Sequence, residues 1–203
     1  MSLFITFEGG EGSGKSSQVA SLSKKLKTTS SVILTREPGG TTLSEHIRTI
    51  LKWTDAYISP ETELLLFNAS RAQLLNEIIK PSLTSGKVVI CDRYTDSTIA
   101  YQGFGRGLDL EIVKSTNNIA AQGLKPNLTI LMDISPEEGF LRIQGRAKDR
   151  FEKEDSAFHQ RVREGYLKLA AEEPERWLVI DASLSKERIK QIIWKKVSSL
   201  LSK

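Results

Sequence analysis

The sequence is poor in the residues that disulfide bridges and zinc sites require. It contains one cysteine, Cys91, and two histidines among 203 residues. A disulfide within the chain is therefore excluded, and no zinc site is indicated. His46 and His159 lie among mixed charges in helix-like segments, and we expect both on the surface. No apolar run approaches the length of a signal peptide or membrane span, so we expect a cytoplasmic protein without a membrane partner.

The excess of positive over negative charge is also small. The 29 Lys and Arg residues face 25 Asp and Glu residues, which leaves a formal net charge of only +4. Long basic runs of the kind that line a nucleic-acid groove are missing, so we expect no nucleic-acid partner. The length fits a single domain, residues 1–203, with a core large enough to fold without covalent staples.

Short apolar runs alternate with segments of helix length. This alternation predicts an α/β fold, with a doubly wound sheet of five parallel strands and helices on both faces. The expected strands are residues 3–7, 32–35, 88–91, 128–132 and 178–180. The expected helices are residues 15–27, 43–51, 60–83, 98–102, 110–121, 136–146, 156–172 and 186–200.

A glycine-rich turn with the spacing G-x-x-x-x-G-K-S joins the first strand to the first helix. This order predicts a phosphate-binding loop for a nucleoside triphosphate, whereas the alternative is a chance glycine-rich turn. Lys15 would reach the outer phosphates, and the Ser16 hydroxyl would hold Mg²⁺. The remaining candidate ATP contacts in and beside the loop are Gly9, Gly10, Gly12, Ser13, Gly14 and Ser17.

Two charged residues, Asp92 and Arg93, follow the third strand. Ligands bind at the carboxyl ends of strands in such sheets, so this position indicates a functional site. Asp92 would hold Mg²⁺ through water, and the guanidinium of Arg93 would clamp a transferring phosphoryl group. The alternative is a purely structural Asp–Arg pair.

A basic segment, residues 142–154, is predicted to be a mobile lid over phosphates. Arg142, Arg146 and Arg150 repeat at intervals of four, and on a helix such like charges repel one another. An incoming anion would relieve this repulsion and favour closure, with Gly145 as a hinge. The alternative is a solvated basic face that neighbouring acids neutralise.

Phe67 and Arg71 lie four residues apart in an expected helix and therefore share one face. A ring beside a guanidinium suits stacking on a nucleobase and bonding to its carbonyl edge. The alternative places Phe67 in the core and Arg71 on the surface.

Taken together, these motifs resemble the thymidylate kinase family over nearly the whole chain. The matching segments are residues 7–16, 36–41, 68–71, 92–94 and 100–103, together with the arginine-rich lid and the last strand. The resemblance implies transfer of the γ-phosphate of ATP to dTMP, which gives ADP and dTDP for dTTP synthesis. It also implies Mg²⁺ as the metal and a homodimer as the assembly.

The family pattern assigns the acceptor base and sugar to one group of side chains. By this resemblance, Phe67 stacks on thymine, and Arg71 bonds the base carbonyl and helps hold the monophosphate. Thr98 and Gln102 complete the polar edge of the base site. Tyr101 lies beneath the sugar, where its ring leaves no room for a 2′-hydroxyl.

The same resemblance assigns the phosphates to a second group. Glu11 approaches the sugar 3′-hydroxyl or the metal, while Glu37, Arg48 and Arg93 border the acceptor phosphate. Arg142 is assigned to ATP. Catalysis then rests on Lys15, Arg93, Glu11 and one lid arginine.

An acid at Glu11 bears on the source of the catalytic arginine. Some family members carry this arginine in the phosphate loop and others carry it in the lid. Because the loop position is Glu11 here, the resemblance assigns it to the lid, with Arg146 as first choice and Arg142 or Arg150 as rivals.

Two other functions compete with this assignment. The nearer is another P-loop nucleotide or deoxynucleoside kinase, and the acceptor site decides between the two. The more distant is a nucleotide-dependent switch or a nucleic-acid-stimulated ATPase. The sequence has no Asn-Lys-x-Asp motif for reading guanine, and its basic residues concentrate in the short lid.

Overall fold

A parallel sheet of five strands forms the centre of the computed structural model, which describes residues 2–145 and 147–201. The sheet order is β2-β3-β1-β4-β5, so β1 is central and hydrogen-bonded to β3 and β4. The predicted doubly wound α/β fold is confirmed. The strands are Leu3–Glu8 (β1), Val32–Arg36 (β2), Val88–Asp92 (β3), Leu128–Asp133 (β4) and Trp177–Asp181 (β5).

Helices follow each of the strands along the chain. They begin where small polar side chains accept hydrogen bonds from the first turn, as Ser59, Ser135 and Asp155 do. The helices are Lys15–Leu26 (α1), Thr42–Trp53 (α2), Pro60–Leu74 (α3), Lys80–Thr84 (α4), Thr95–Thr98 (α5), Leu110–Ala121 (α6), Pro136–Leu141 (α7), Ser156–Glu172 (α8) and Lys186–Leu201 (α9). Two π-helical segments, Leu75–Ile79 and Ile99–Gly105, continue α3 and α5.

Three helices differ from the prediction. The segment 60–83 is helical throughout, but a π-helical turn divides it into α3 and α4. The segment 98–102 belongs to α5 and the π-helical segment that continues it. The helix predicted over residues 136–146 ends at Leu141, and Gly145 has φ of +86°, a left-handed conformation that does not continue a helix. Arg142 and Arg150 therefore do not share one helical face.

The alternation of side chains along β1 sends its residues to two different layers. Leu3, Ile5 and Phe7 pack in a cluster with residues of α1 and α9. Phe4 packs on the opposite face, in a cluster that includes Leu74. All six residues of β1 are buried. Within residues 2–145 and 147–201, none of the helices combines the length and apolar character that crossing a bilayer demands.

The backbone of the phosphate-binding loop packs closely against the backbone of α7, at a glycine on each side. A Cβ atom at Gly12 would lie 1.9 Å from the carbonyl oxygen of Gly139, and one at Gly139 would lie 2.3 Å from the carbonyl oxygen of Glu11. Both distances are far below van der Waals contact. The loop thus reaches its position only because α7 presents a bare backbone to it. Gly139 carried no motif that would have singled it out in the sequence.

Replacing Gly139 tests this contact. Gly139→Ala improves helix propensity but must push the loop away from α7. We expect the affinity for ATP, measured by calorimetry, to fall by about 10- to 100-fold, because a shift near 1 Å misplaces the loop amides. Leu141→Ala is the control, since Leu141 is an exposed residue of the same helix and does not line the cleft beside the phosphate-binding loop. Equal ATP affinities in the two variants would contradict the expected role of the contact.

Candidate active site

A cleft of about 1000 Å³ opens where the phosphate-binding loop, β3 and α3 come together. Most of the residues predicted for the site line this cleft, although they come from distant parts of the sequence. Gly9 and Gly10 do not line it, and Arg146 lies outside the described residues. The predicted residues that do line it are Glu11, Gly12, Ser13, Gly14, Lys15, Ser16, Ser17, Glu37, Arg48, Phe67, Arg71, Asp92, Arg93, Thr98, Tyr101, Gln102 and Arg142.

The ammonium group of Lys15 is held by its own loop. It donates hydrogen bonds to the carbonyl oxygens of Gly9 at 2.9 Å and Gly10 at 2.8 Å. Gly9 and Gly10 thus orient the lysine with their carbonyls, although neither faces the cleft. Burial, assisted by the charge of Arg93, lowers the pKa of Lys15 to about 8. Lys15 therefore stays mostly protonated at neutral pH and retains the charge that phosphates require.

The groups predicted to hold Mg²⁺ are adjacent. The hydroxyl of Ser16 donates to Oδ2 of Asp92 at 3.2 Å. Mg²⁺ prefers oxygen ligands and usually keeps several waters and phosphate oxygens, so a hydroxyl and a nearby carboxylate fit it. In the described part of the chain, no group of three or more His, Cys, Asp or Glu side chains could hold a metal ion.

Arg93 joins the phosphate-binding loop to the end of β3. It pairs with Glu11 at 2.7 Å, not with Asp92, so the alternative of a structural Asp–Arg pair is wrong. The second nitrogen of its fork donates to the hydroxyl of Tyr166 at 3.1 Å. The backbone of Arg93 is left-handed, with φ of +72°, an uncommon conformation for a residue with a side chain. Such strain is typical of functional positions, where the surrounding contacts enforce it.

Glu11 is ionised in this arrangement. Burial opposes its charge, but Arg93 and Lys15 outweigh burial and lower the pKa of Glu11 to about 2. The hydroxyl of Tyr101 also donates to it, at 3.0 Å. The phosphate-binding loop thus places a negative charge between two cations.

Arg71 is almost fully buried, so its alternative placement on the surface is wrong. Its fork donates twice to one oxygen of Glu37, at 2.9 and 2.6 Å, and to the hydroxyl of Thr98 at 2.9 Å. Asn117 and Asn68 accept from its remaining nitrogen at 2.6 and 3.1 Å. Burial raises the pKa of Glu37 despite the attraction of Arg71. These contacts fix the guanidinium at the cleft wall.

Arg48 lies at the same side of the cleft as Glu37. Its guanidinium donates to the carbonyl oxygen of Pro38 at 2.8 Å. This contact ties α2 to the turn after β2 and leaves Arg48 half-buried at the cleft. Burial and the neighbouring Arg36 lower the pKa of Arg48.

Aromatic rings form the far wall of the cleft. The half-buried ring of Phe67 lies 5.7 Å from Phe151, which in turn lies 6.0 Å from Tyr101. Phe67 is therefore not sealed in the core and can present a face to a planar ligand. Gln102 ends beside these rings, and its amide donates to Glu63 at 2.7 Å. Phe151 and Glu63 were not among the predicted site residues, because neither lies in a recognisable motif.

The two described arginines of the lid are anchored on different elements. Arg142 donates to the carbonyl oxygen of Ala182, just after β5, at 3.0 Å. Arg150 donates to the carbonyl oxygen of Leu51 in α2 at 2.9 Å and pairs with Glu63 at 2.6 Å. The alternative of a solvated face is also wrong at its acidic end, because Asp149 and Glu152 are buried.

The expected surface position is wrong for one of the two histidines. His46 is exposed as expected. His159 is buried between Phe140 and Phe158, whose rings lie 4.7 and 5.2 Å away. Burial lowers its pKa, so it is neutral at physiological pH. Mixed charge along the sequence of α8 concealed the apolar contacts that its partners make in space.

Glu8, at the carboxyl end of β1, is a buried acid that the sequence did not single out. It accepts hydrogen bonds from the Tyr94 amide at 2.8 Å and from the hydroxyls of Ser97 at 2.5 Å and Tyr166 at 3.1 Å. Burial, with the negative charge of Asp96, raises the pKa of Glu8 to about 8. Ser97 and Tyr166 also contact Arg93. Glu8 therefore holds in place two of the side chains that bind this arginine.

The raised pKa of Glu8 predicts a pH dependence of stability. Its folded-state pKa exceeds the ordinary value of 4.5, so its contribution to stability is full below pH 4.5 and is lost as the pH approaches 8. Glu8→Gln removes this titration. We expect the free energy of unfolding, from urea titrations, to fall less between these pH values in the variant than in the unmodified chain. Glu175→Gln, at an exposed position, is the control; identical pH slopes in all three proteins would refute the expectation.

Comparisons with known proteins agree with this geometry. A family model described as thymidylate kinase matches residues 7–193. A thymidylate kinase of Dehalococcoides mccartyi is 53% identical over 203 residues, covering 99% of this chain and 98% of the relative. One of Syntrophotalea carbinolica is 45% identical over 211 residues, covering 100% and 98%.

A solved structure extends the agreement to three dimensions. The crystal structure of thymidylate kinase from Ehrlichia chaffeensis superposes with a TM-score of 0.76 at 39% identity, covering 88% of this chain and 92% of that one. The fold and nearly the whole sequence are thus shared with proteins of one kind. The chain belongs to the thymidylate kinase family.

Proposed function

We propose that this chain transfers the γ-phosphoryl group of ATP to dTMP, which yields ADP and dTDP. The observation that carries the proposal is one continuous cleft, which is lined by the phosphate-binding loop, by Arg93 and by the Phe67 and Arg71 side chains of α3. A triphosphate site alone would fit many enzymes. A wall of aromatic rings and buried amides opposite that site fits a second nucleotide as the acceptor, and family membership supports dTMP.

On the donor side, the chain binds and orients the phosphates of ATP. Lys15 and the loop amides hold the triphosphate, and Arg142 contacts ATP from the start of the lid. Ser16 and Asp92 hold Mg²⁺, which when bound neutralises charge on the β- and γ-phosphates. Because phosphoryl transfer demands little covalent chemistry, holding donor and acceptor in line supplies most of the rate. The acceptor phosphate is itself nucleophilic, so no general base is needed.

On the acceptor side, each wall of the cleft has a separate task. Phe67 stacks on thymine, while Arg71 and Thr98, already joined by a hydrogen bond, face the polar edge of the base with Gln102. The ring of Tyr101 packs beneath the sugar and excludes a 2′-hydroxyl. Arg93 presents the acceptor phosphate to the donor.

Three further charges complete the acceptor side. Glu37 and Arg48 border the acceptor phosphate. Glu11, which is ionised beside Arg93, approaches the sugar 3′-hydroxyl or the metal.

The lid supplies the arginine that stabilises the transferring group. Arg150 is committed to Glu63 and the end of α2, and Arg142 is committed to Ala182. Arg146, the first choice by resemblance, is therefore the arginine that we propose as catalytic. Closure of the lid, residues 142–154, excludes water as a competing acceptor.

The assembly we propose is a homodimer of single kinase domains. Helices α2, α3 and α6 lie side by side and expose large apolar side chains, which a second copy would cover. These side chains are Leu43, Ile50, Leu65, Ile112 and Ile119. We also propose a cytoplasmic location, consistent with the free, buried thiol of Cys91.

A panel of acceptors tests the proposed function. ADP formation from ATP is measured with dTMP, dUMP, dCMP, AMP, GMP and thymidine. We expect the highest kcat/KM with dTMP, because the base site is built for a thymine and the sugar site for deoxyribose. Preference for dCMP or thymidine would favour the rival nucleotide or nucleoside kinase. Turnover without an acceptor, or stimulated by nucleic acid, would favour the ATPase.

Arg146→Ala tests the catalytic role of the lid. We expect kcat to fall by about 10³-fold or more, as it does when other phosphoryl-transfer enzymes lose the arginine that stabilises the transferring group. The KM for dTMP should change little. Arg188→Ala, in the exposed part of α9, serves as the control. A loss of similar size in Arg142→Ala, with Arg146→Ala nearly unaffected, would transfer the role to Arg142.

A further inference from the structure

Glu63 is a fully buried carboxylate that lies behind the cleft wall. It belongs to α3, does not line the cleft and has no exposed surface. One oxygen, Oε1, accepts from the amide of Gln102 at 2.7 Å and from Arg106 at 3.2 Å. The other, Oε2, contacts Arg150 at 2.6 Å and Arg106 at 3.2 Å. Two guanidinium groups thus balance its charge, and its remaining partner is the base-site glutamine.

The contact with Glu63 fixes which end of the Gln102 amide group faces Glu63 and which end faces the cleft. A glutamine amide offers two N–H donors on one side and a carbonyl acceptor on the other. An ionised carboxylate only accepts hydrogen bonds, so the NH₂ group of Gln102 must face Glu63. Its carbonyl oxygen accepts no hydrogen bond from the residues that the structure describes. Gln102 therefore offers its carbonyl oxygen to the cleft as an acceptor and turns its NH₂ group toward Glu63.

We infer that Glu63 is a positioning residue that sets base selectivity by fixing the amide of Gln102 with its carbonyl oxygen toward the acceptor base. Thymine and uracil carry an N3–H donor that satisfies this oxygen. Cytosine carries an unprotonated N3, which places one acceptor against another. The inference rests on the proposed function, in which Gln102 meets the base edge, and it explains selection against cytosine by a residue that touches no substrate.

Substitution of Glu63 by its own amide removes the constraint with little change in shape. In Glu63→Gln the new side chain can donate or accept, so Gln102 is free to turn its NH₂ group toward the cleft. We expect the ratio of the dissociation constants of dCMP and dTMP, measured by calorimetry, to fall at least about tenfold, because a buried acceptor–donor match is no longer enforced. The affinity for ATP stays unchanged.

A charge-conserving exchange provides the rescue. In the double variant Glu63→Gln, Gln102→Glu, the carboxylate stands at position 102 and accepts from the amide at position 63. Its second oxygen is again an acceptor only, so we expect the dCMP/dTMP ratio to return toward that of the unmodified chain. A merely structural role of Glu63 predicts no such recovery of selectivity.

A matched control separates orientation from charge. Glu154→Gln removes a carboxylate that contacts Arg106 at 2.6 Å but does not contact Gln102. We expect it to leave the dCMP/dTMP ratio unchanged. If Glu63→Gln does not fold, Glu63→Asp keeps the charge but withdraws the oxygen from Gln102, and it should lower the same ratio.

The results separate two kinds of failure. If the folded Glu63 variant binds dTMP and dCMP with an unchanged ratio, or if Glu154→Gln lowers the ratio equally, the inference is overturned. Failure of the double variant to recover any selectivity also overturns it. If the unmodified chain neither binds nor phosphorylates dTMP, it is the proposed function that fails.

Discussion

The position of β1 between β3 and β4 is the constraint on which the rest of the structure depends. Parallel pairing on both sides aligns Phe7 with Asp92 and Glu8 with Leu131, so these strands end at one edge. The phosphate-binding loop leaves the sheet directly beside Arg93 for this reason. The phosphate-binding loop and Arg93 are therefore neighbours because of strand order, although 82 residues separate Glu11 from Arg93.

The pairing of buried charges follows from this closeness. Burying an unpaired ion carries a large desolvation penalty, and a partner from another element offsets it. Glu11 reaches Arg93, Glu37 reaches Arg71, and Glu63 reaches two arginines. Each pair joins two segments that must hold their separation if two nucleotides are to lie in line. The main effect of these ion pairs is therefore to fix the distances between segments, and their contribution to the free energy of unfolding is smaller.

The sequence predicted the features whose causes are local. The phosphate-binding loop and the five strands carry their pattern in adjacent residues, and α6 and α8 begin and end where their caps and apolar spacing indicate. Gly139, Glu63 and His159 could not be predicted in this way. Each of them owes its role to partners far away in the chain, such as the backbone of Glu11 or the amide of Gln102. Nothing in the neighbouring residues reports such partners.

The lid shows how the same residue type can serve separate tasks. A row of arginines at regular spacing suggested equivalent groups, yet helix α7 ends before the row begins. Arg142 is then tied to Ala182, just after β5, and Arg150 is tied to α2 and to Glu63. Arg142 and Arg150, each already bonded to a different part of the fold, thus hold the chain at two points of the lid. Because Glu63 binds both Arg150 and Gln102, the contact that holds Arg150 in place and the contact that orients the amide of Gln102 depend on one carboxylate.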